Sequence, residues 1–461
     1  MIMKNIKSVI VALLLMAAPA VGMAQSAESS YFLDGMLFNN KLNPAMKAER
    51  GYMSLLVGNL SVQTKGNIGL STFLYPREDN KLATFMSGSV TAEEFFKKMP
   101  NDARLGFKLD ESLFSAGFRM FGGYFSLGVS MHSSLSLSIP RGFFEFAKLG
   151  FKNNAYSFSN LNLNTMNYAA ATIGYSHHIY KGLRLGVNVK YLMGIAHADL
   201  LVDKLNVELS GERWMVESHA RAQAALFCEA KPMLDEDDVV SGIEFGSFIP
   251  SAHGFGVDVG LVYEMDSIVP GLTLSASVLD LGYIKWPSMM GVESTDAKVE
   301  FTGFKELDYN NAESSVQAEL EQLGTDASKL VEFNYNGAKP AKTLLNTTMY
   351  FGAEYNMPFY KPLSVGVLYG QSFSSFNSNK WYNVRGYLNI SPLKWLEASV
   401  NYGYGTYGTS LGWMFNFHPV GFSFFVGSDF MITKVTPQFI PVDNLNAHVI
   451  FGINFPMGKR K

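Results

Sequence analysis

The chain has 461 residues with 40 acidic against 37 basic side chains, a net charge of −3, so no basic excess points to nucleic acid. Charged residues are only 17% and aromatics 14%, against roughly 25% charged in soluble domains; 42 Gly, 36 Phe and 22 Tyr push toward many strands with an apolar, aromatic exterior. The single cysteine, Cys228, excludes a framework of internal disulfides.

Residues 1–24 have the parts of an export signal. Lys4 and Lys7 form a basic start, Val9 to Ala18 an apolar run, and Gly22-Met23-Ala24 a cleavage site with maturation after Ala24. The apolar run is too short for a membrane helix of about 20 residues. No cysteine stands directly after the cleavage site, so a lipoprotein anchor is not expected. Losing the signal removes two lysines and no acid, so the net charge moves from −3 to −5. Beyond residue 24 no uninterrupted apolar run reaches the roughly 18 residues of a membrane helix. Two options remain, a secreted all-β protein or an outer-membrane barrel.

Residues 25–51 precede the first strand. They hold Leu42-Asn43-Pro44-Ala45, which cannot sit inside a central strand because proline lacks the ladder N–H; the segment should fold on or into the body of the protein. Tyr52 to Tyr75 alternates and is interrupted near Gln63 to Gly66; it reads as one long bulged strand or as a hairpin. Thr91 and Glu94 form a capping box that opens a short, solvated helix through Lys98. Leu113 to Phe121 and Tyr124 to Ile139 pair around Gly122-Gly123, a turn dipeptide. A second short helix follows Pro140, carries Phe143, Phe144 and Phe146, and stops at Gly150. It either plugs or lines a lumen, or packs over a rim.

Tyr168 to Met193 is the clearest hairpin. Leu183, Leu185, Val187, Val189 and Tyr191 share one parity, Arg184, Gly186, Asn188 and Lys190 the other, which is the period of a strand with one apolar and one polar face. Tyr180-Lys181-Gly182 supplies the turn. Ala198 to Ala225 reads as a projecting hairpin around Ser210-Gly211. The acidic cluster Asp235 to Asp238 lacks the spaced order of a calcium loop, so a solvated loop is expected there.

Gly254 to Glu264 alternates again, with Phe255, Val257, Val259, Leu261 and Tyr263 outward and Asp258, Gly260 and Glu264 inward. A turn at Val269-Pro270-Gly271 leads into Leu272 to Asp280. Ile284 to Ala341 breaks the pattern with Trp286-Pro287, a helix-like Ala312 to Leu323 and many charges, and reads as one long external loop. The last third is regular. Thr347 to Met357, Leu363 to Phe373, Arg385 to Ile390, Leu396 to Tyr404, Leu411 to Phe417, Phe422 to Phe430 and Ala447 to Phe455 alternate, with Tyr and Trp near their ends as in the aromatic girdles of membrane barrels.

Short turns on one side and long loops on the other give an all-β fold, a transmembrane antiparallel β-barrel of about 14 strands with an N-terminal plug and short loop helices. The count holds if Tyr52 to Tyr75 crosses once and Ala198 to Ala225 projects outward. The domains are then the signal at 1–24, the plug at 25–51 and the barrel at 52–461, with long extracellular loops near 76–110, 198–253 and 284–342.

Asn43-Pro44-Ala45 before the first strand resembles the NPA segment of the long-chain fatty-acid transporter (FadL-like) superfamily. Gly254 to Tyr263, with Leu279-Asp280-Leu281-Gly282 in the next strand, is similar to the PorV-type barrels of secretion systems. Tyr31 to Gly35, Leu42 to Ala45, Gly69 to Tyr75 and the ending Phe451 to Phe455 are similar to a domain-of-unknown-function family of outer-membrane barrels, over essentially the whole mature chain. The resemblance implies a 14-stranded barrel with its N-terminal segment inside and, by its characterised members, passage of hydrophobic molecules or a shuttle role in protein secretion. The chain departs in ending on Pro456 to Lys461, which leaves Phe455 as the signal to the barrel-assembly machinery, and in its loop after Ile284.

No catalytic constellation stands out. His177 and His178 are adjacent on a strand and point to opposite faces, so they cannot chelate together. Asp258 and Glu264 share a parity but stand about 20 Å apart. No catalytic residue, metal or cofactor is expected. Arg184, Asn188, Lys190, Asp258, Glu264, Glu397 and Asn401 should face the lumen, either toward a ligand or toward one another in a closed interior. Asn43, Pro44 and Ala45 should form a plug, as a movable hatch or a static cork. The expected function is a passive outer-membrane channel for hydrophobic small molecules, the alternative a non-transporting scaffold for protein secretion or surface assembly. The expected partners are outer-membrane lipid, the assembly machinery, a hydrophobic small molecule and a protein at the extracellular loops.

Overall fold

In the computed structural model the described residues are 27–46, 48, 50–55, 59–77, 82–150, 155–210, 213–226, 228–234, 240–248, 252–294, 296–301, 333–430 and 446–457. The export signal, the acidic cluster Asp235 to Asp238 and the stretch Ala312 to Leu323 lie outside them.

Alternating segments become antiparallel strands that close into a ring. They are β1 (Gly51–Leu55, continued by Leu60–Gly66), β2 (Asp102–Met120), β3 (Gly123–Pro140), β4 (Leu161–Tyr180), β5 (Leu183–Leu209), β6 (Ala252–Glu264) and β7 (Leu272–Ser294). The ring continues with β8 (Thr347–Asn356), β9 (Leu363–Phe373), β10 (Trp381–Leu393), β11 (Leu396–Gly405), β12 (Gly408–Phe417), β13 (Ser423–Ser428) and β14 (Ala447–Met457). Each strand pairs with its neighbours in sequence, and β14 also pairs with β1, from Gly51↔Met457 to Thr64↔Ala447. Among the described residues the sheet therefore closes on itself, the condition for surviving in lipid. The first crossing ends at Gly66, short of Tyr75, because Leu70–Phe73 turns into helix α1.

The wall is apolar outside and polar inside. On β5, Leu185, Val187, Val189, Tyr191 and Met193 are exposed, while Arg184 and Asn188 are buried. The same parity runs through Val384, Leu388 and Ile390 against Arg385 and Asn389 on β10, and through Val400 and Tyr402 against Ser399 and Asn401 on β11. A soluble sandwich buries the oily parity; here it faces outward in a ring, with Tyr180, Tyr360, Trp395, Tyr402 and Tyr404 exposed near the strand ends. That is the surface of a barrel standing in a bilayer. Leu185→Arg should accordingly cost about 2–4 kcal/mol, read as a lowered urea midpoint of the folded protein in lipid vesicles; normal stability would place Leu185 elsewhere than against lipid.

Beyond one rim the wall continues upward. β5 pairs with β6 as far as Gly194, then from Ala196 with Trp214–Leu226. The far side of that strand pairs with β7 at Met290 to Glu293. The hairpin expected to project from Ala198 to Ala225 is thus stitched into an extension of the wall. The long loop expected from Ile284 needs correction: β7 runs to Ser294 and Phe333–Leu344 pairs back along it, from Tyr283↔Leu344 to Ser294↔Phe333. Trp286-Pro287 is accommodated by a register shift rather than by ending the strand.

Two small helices sit at this long-loop rim. Helix α2 (Ala92–Lys98) is capped by Thr91, whose Oγ1 accepts from Glu94 N at 3.1 Å, and α3 (Arg141–Leu149) ends at Gly150. Phe144 of α3 packs with Phe73 of α1, Phe95 of α2 and Ala103 and Ile139 of the wall. The aromatic helix therefore packs over the rim.

Candidate functional site

The lumen is filled at its short-turn half by the N-terminal segment. Ala27 to Met46 descends as successive tight turns, including 3₁₀ turns at Glu28–Ser30 and Asn39–Lys41. Leu33, Met36, Leu37 and Phe38 pack against Tyr52, Tyr124, Met414, Phe425 and Ile450. Tyr31, Phe32 and Leu42 pack on the other side against Leu279, Tyr350, Leu368 and Tyr387. The inner half of the barrel thus has a hydrophobic core only because this segment supplies its centre.

Asn43, Pro44 and Ala45 sit in a slot cut by two glycines. Gly186 of β5 and Gly260 of β6 face each other in register. A Cβ at Gly260 would run into Asn43 Oδ1 and Pro44, and one at Gly186 into the Pro44 carbonyl and Ala45 N. The Asn43 amide donates to the carbonyls of Leu261 and Ala276, both at 3.2 Å, and its Oδ1 accepts from Ala45 N at 3.0 Å. One side chain therefore pins the turn and ties it to two strands.

Each polar residue singled out from the sequence has a definite partner here. Arg184 donates to the Ala45 carbonyl at 3.3 Å and pairs with Glu264 at 3.0 Å at the short-turn rim. Asn188 donates to Asp258 at 3.0 Å and to the Asn40 carbonyl at 3.4 Å. Lys190 bridges Asp258 at 2.7 Å and Asp280 at 2.6 Å. Glu397 accepts from Gly35 N at 2.9 and 3.0 Å and from Asn416 at 3.1 Å. Asn401 accepts from Arg385 at 2.6 Å. On the plug itself, burial draws the Lys41 ammonium down to about 8, opposed by Asp110, which raises it.

The Lys190 bridge coincides with a distortion of the wall. The β6–β7 register shifts between Val257 and Val259, and Asp280 adopts φ 58°. Opposite it, Leu345-Asn346 interrupts the strand that leads into β8, and Leu345 N donates to the Gly282 carbonyl at 3.0 Å. Asp280 N in turn donates to Asp258 at 2.8 Å, so the carboxylate that holds Lys190 also fixes the irregular backbone.

The strongest latch was missed from the sequence. Ser29 N and Oγ donate to Asp429 at 2.7 and 2.6 Å, and Glu28 N does so at 3.1 Å. The Glu28 carboxylate pairs with Arg385 at 3.3 Å and accepts from Asn383 at 2.7 Å. Only Arg385, an isolated charge on an inward parity, could have been noticed.

Between the N-terminal segment and the long-loop mouth lie separate cavities. A vestibule of about 490 Å³ at the long-loop mouth is lined by Asn162, Asn164, Met166, Met289 and Asn346 among others. Met166 and Asn346 also line a cavity of about 40 Å³ beside Asp110, His132 and Asp280. Asp110 and Asp280 in turn line one of about 50 Å³ that ends on Glu28 and Leu42 of the plug. Beneath the vestibule Met166, Leu192, Ile284, Trp286 and Met289 form an apolar cluster. Among the described residues no group of three or more His, Cys, Asp or Glu is placed to hold a metal.

The family described as "Family of unknown function (DUF5723)" matches residues 44–429. The chain belongs to the DUF5723 family. No curated protein matches it. In fold, this DUF5723 chain is similar to a Pseudomonas aeruginosa FadL homologue, at 10% identity and TM-score 0.40 over 95% of this chain and 97% of that one. It is also similar to the Pseudomonas putida toluene transporter TodX, at 8% and 0.38 over 95% of each chain. The translocator domain of the autotransporter NalP from Neisseria meningitidis matches at 7% and 0.29 over 88% of each. Identities this low carry no substrate from one protein to another.

Proposed function

We propose that this DUF5723 chain is an outer-membrane channel for small hydrophobic molecules, with its N-terminal segment as the hatch and its long loops outside the cell. The seat of Asn43 to Ala45 carries the reading. The segment is held in a glycine slot by hydrogen bonds and packing, so it can leave without breaking a ladder bond of the wall. Three cavities with shared lining residues lie between the long-loop mouth and Glu28 and Leu42 of the segment, and the Met166, Trp286 and Met289 cluster offers apolar groups a resting place beside the outermost.

Swelling of liposomes that hold the mature chain, against a form lacking residues 27–46, tests it. The hatchless form should admit small solutes several-fold faster than the intact one. Absence of flux in both would overturn the reading. A scaffold for secretion or surface assembly is the second reading, and the number of latches on Glu28, Ser29, Gly35 and Asn43 favours it. It expects a hatch that stays in place and function in the long loops.

A further inference from the structure

One short connection spans the long-loop mouth. The seven residues from Ser374 to Lys380 join β9 to β10, two neighbours that pair as far as Ser372↔Trp381. Instead of closing as a tight hairpin turn, the link winds into a 3₁₀ turn at Asn377–Asn379 that lies against β2, β3 and β4. On a ring of fourteen strands β10 and β3 stand seven apart in either direction, so the link reaches the far wall. Side chains tie it there. Ser378 Oγ lies 3.0 Å from Ser136 Oγ, Asn379 Nδ2 donates to Asn164 at 3.2 Å and to Asn346 at 3.5 Å, and Arg104 donates to the Lys380 carbonyl at 3.2 Å.

These ties lie one step above the inner cavities. Ser136 and Asn164 are partners across β3 and β4, and the next pair on the same face, Ser134 and Met166, lines the cavity of about 40 Å³. One step of two residues is about 7 Å along a strand. The strap divides the mouth. On one side is the vestibule, on the other a cavity of about 520 Å³ bordered by Arg104, Phe373, Lys380 and Trp381, and Ser374 lines both. Each way inward passes a residue that the strap controls. Asn346 is shared by the vestibule and the cavity beneath it, and Asn379 is bonded to it. Trp381 is shared by the second mouth cavity and the one that ends on Glu28 and Leu42; it directly follows the strap, and Lys65 Nζ lies 4.6 Å from its ring centre.

We infer that Ser374 to Lys380 is a gate at the long-loop mouth, distinct from the N-terminal hatch, and that release of Ser378 and Asn379 from the far wall joins the mouth cavities to those within. Among the described residues no ladder bond ties the strap to that wall, so it can lift while every strand pair stays intact. Three serines and two asparagines in seven residues exchange their bonds to the wall for bonds to water at small net cost. A surface loop that closes over a site and opens by its own motion is a common form of gating. This gate regulates the channel proposed above, and that role rests on the channel reading.

Ser134→Cys, in a chain that also carries Cys228→Ser, reports on the way inward. The mature protein in lipid nanodiscs is exposed to a charged methanethiosulfonate reagent, and the rate of thiol labelling is followed. Adding Ser378→Ala and Asn379→Ala frees the strap without shortening it and should speed labelling about tenfold. An unchanged rate overturns the gate. Should that variant fail to fold, Asn379→Ala alone is read in the same way. Labelling needs no flux, so it stands apart from the channel reading. Ser136→Cys with Ser378→Cys, bridged by dibromobimane, which fluoresces once both thiols have reacted, should stop the swelling of liposomes that hold the mature chain. Swelling that continues after bridging overturns the gate. A chain that never swells overturns only the channel, and the labelling rates then decide the gate.

Discussion

Gly260→Val should open the barrel without unfolding it. The new side chain occupies the place of Asn43 Oδ1 and the Pro44 ring. Either the wall moves or the hatch does, and the wall is held by ladder bonds to β5 and β7 over the whole of β6. Forcing the extra carbons into the slot costs about 1–3 kcal/mol. The two bonds from Asn43 to Leu261 and Ala276, each about 1 kcal/mol, go with the displaced turn. Several-fold faster liposome swelling is expected, with the heat-dependent gel shift of a folded barrel retained. Gly386→Val is the control, since a Cβ there meets nothing within 4 Å. Equal swelling in both variants would mean that the slot does not hold the hatch.

Arg385→Leu should be the most destabilising single change. Arg385 is 1% exposed; it pairs with Glu28 at 3.3 Å and donates to Asn401 at 2.6 Å and to the Asp429 carbonyl at 3.2 Å. Removing it strands the Glu28 carboxylate in the interior. Breaking a buried pair from one side costs about 3–5 kcal/mol, far more than the pair contributes against a neutral replacement. A large drop of the urea midpoint is expected in vesicles. Adding Glu28→Gln, which removes the stranded charge and leaves an amide near Asn383 and Tyr350, should restore part of it. A loss below about 1 kcal/mol for Arg385→Leu, or no recovery in the double variant, would show that the pair is screened by water.

The wall was legible because a strand has a period of two and a bilayer reverses which parity is oily. Leu185, Val187 and Val189 against Arg184 and Asn188 state both facts within six residues. Where two perturbations coincide the pattern fails. At Asp280 the backbone turns left-handed and the inward parity moves from Ser275, Ser277 and Leu279 to Ile284 and Trp286, so a continuing strand reads as the start of a loop. The inward positions of the lumen follow from parity alone, but their partners do not. Nothing local in Glu28 or Ser29 points to Asp429, and nothing in Gly186 or Gly260 says that their missing side chains make room for Pro44. Such information lies in pairs remote in sequence, each half of which looks ordinary.

The Ser29–Asp429 latch joins residues 400 positions apart. Contacts of such separation form slowly, because a long loop must close before they contribute. Without the segment the Asp429 carboxylate and the Arg385 guanidinium lose Ser29 and Glu28, so its docking completes the bonding of two buried charged groups of the wall. The contacts that seat the N-terminal segment thus tie the first described residues of the chain to the end of β13, the strand that precedes the closing one.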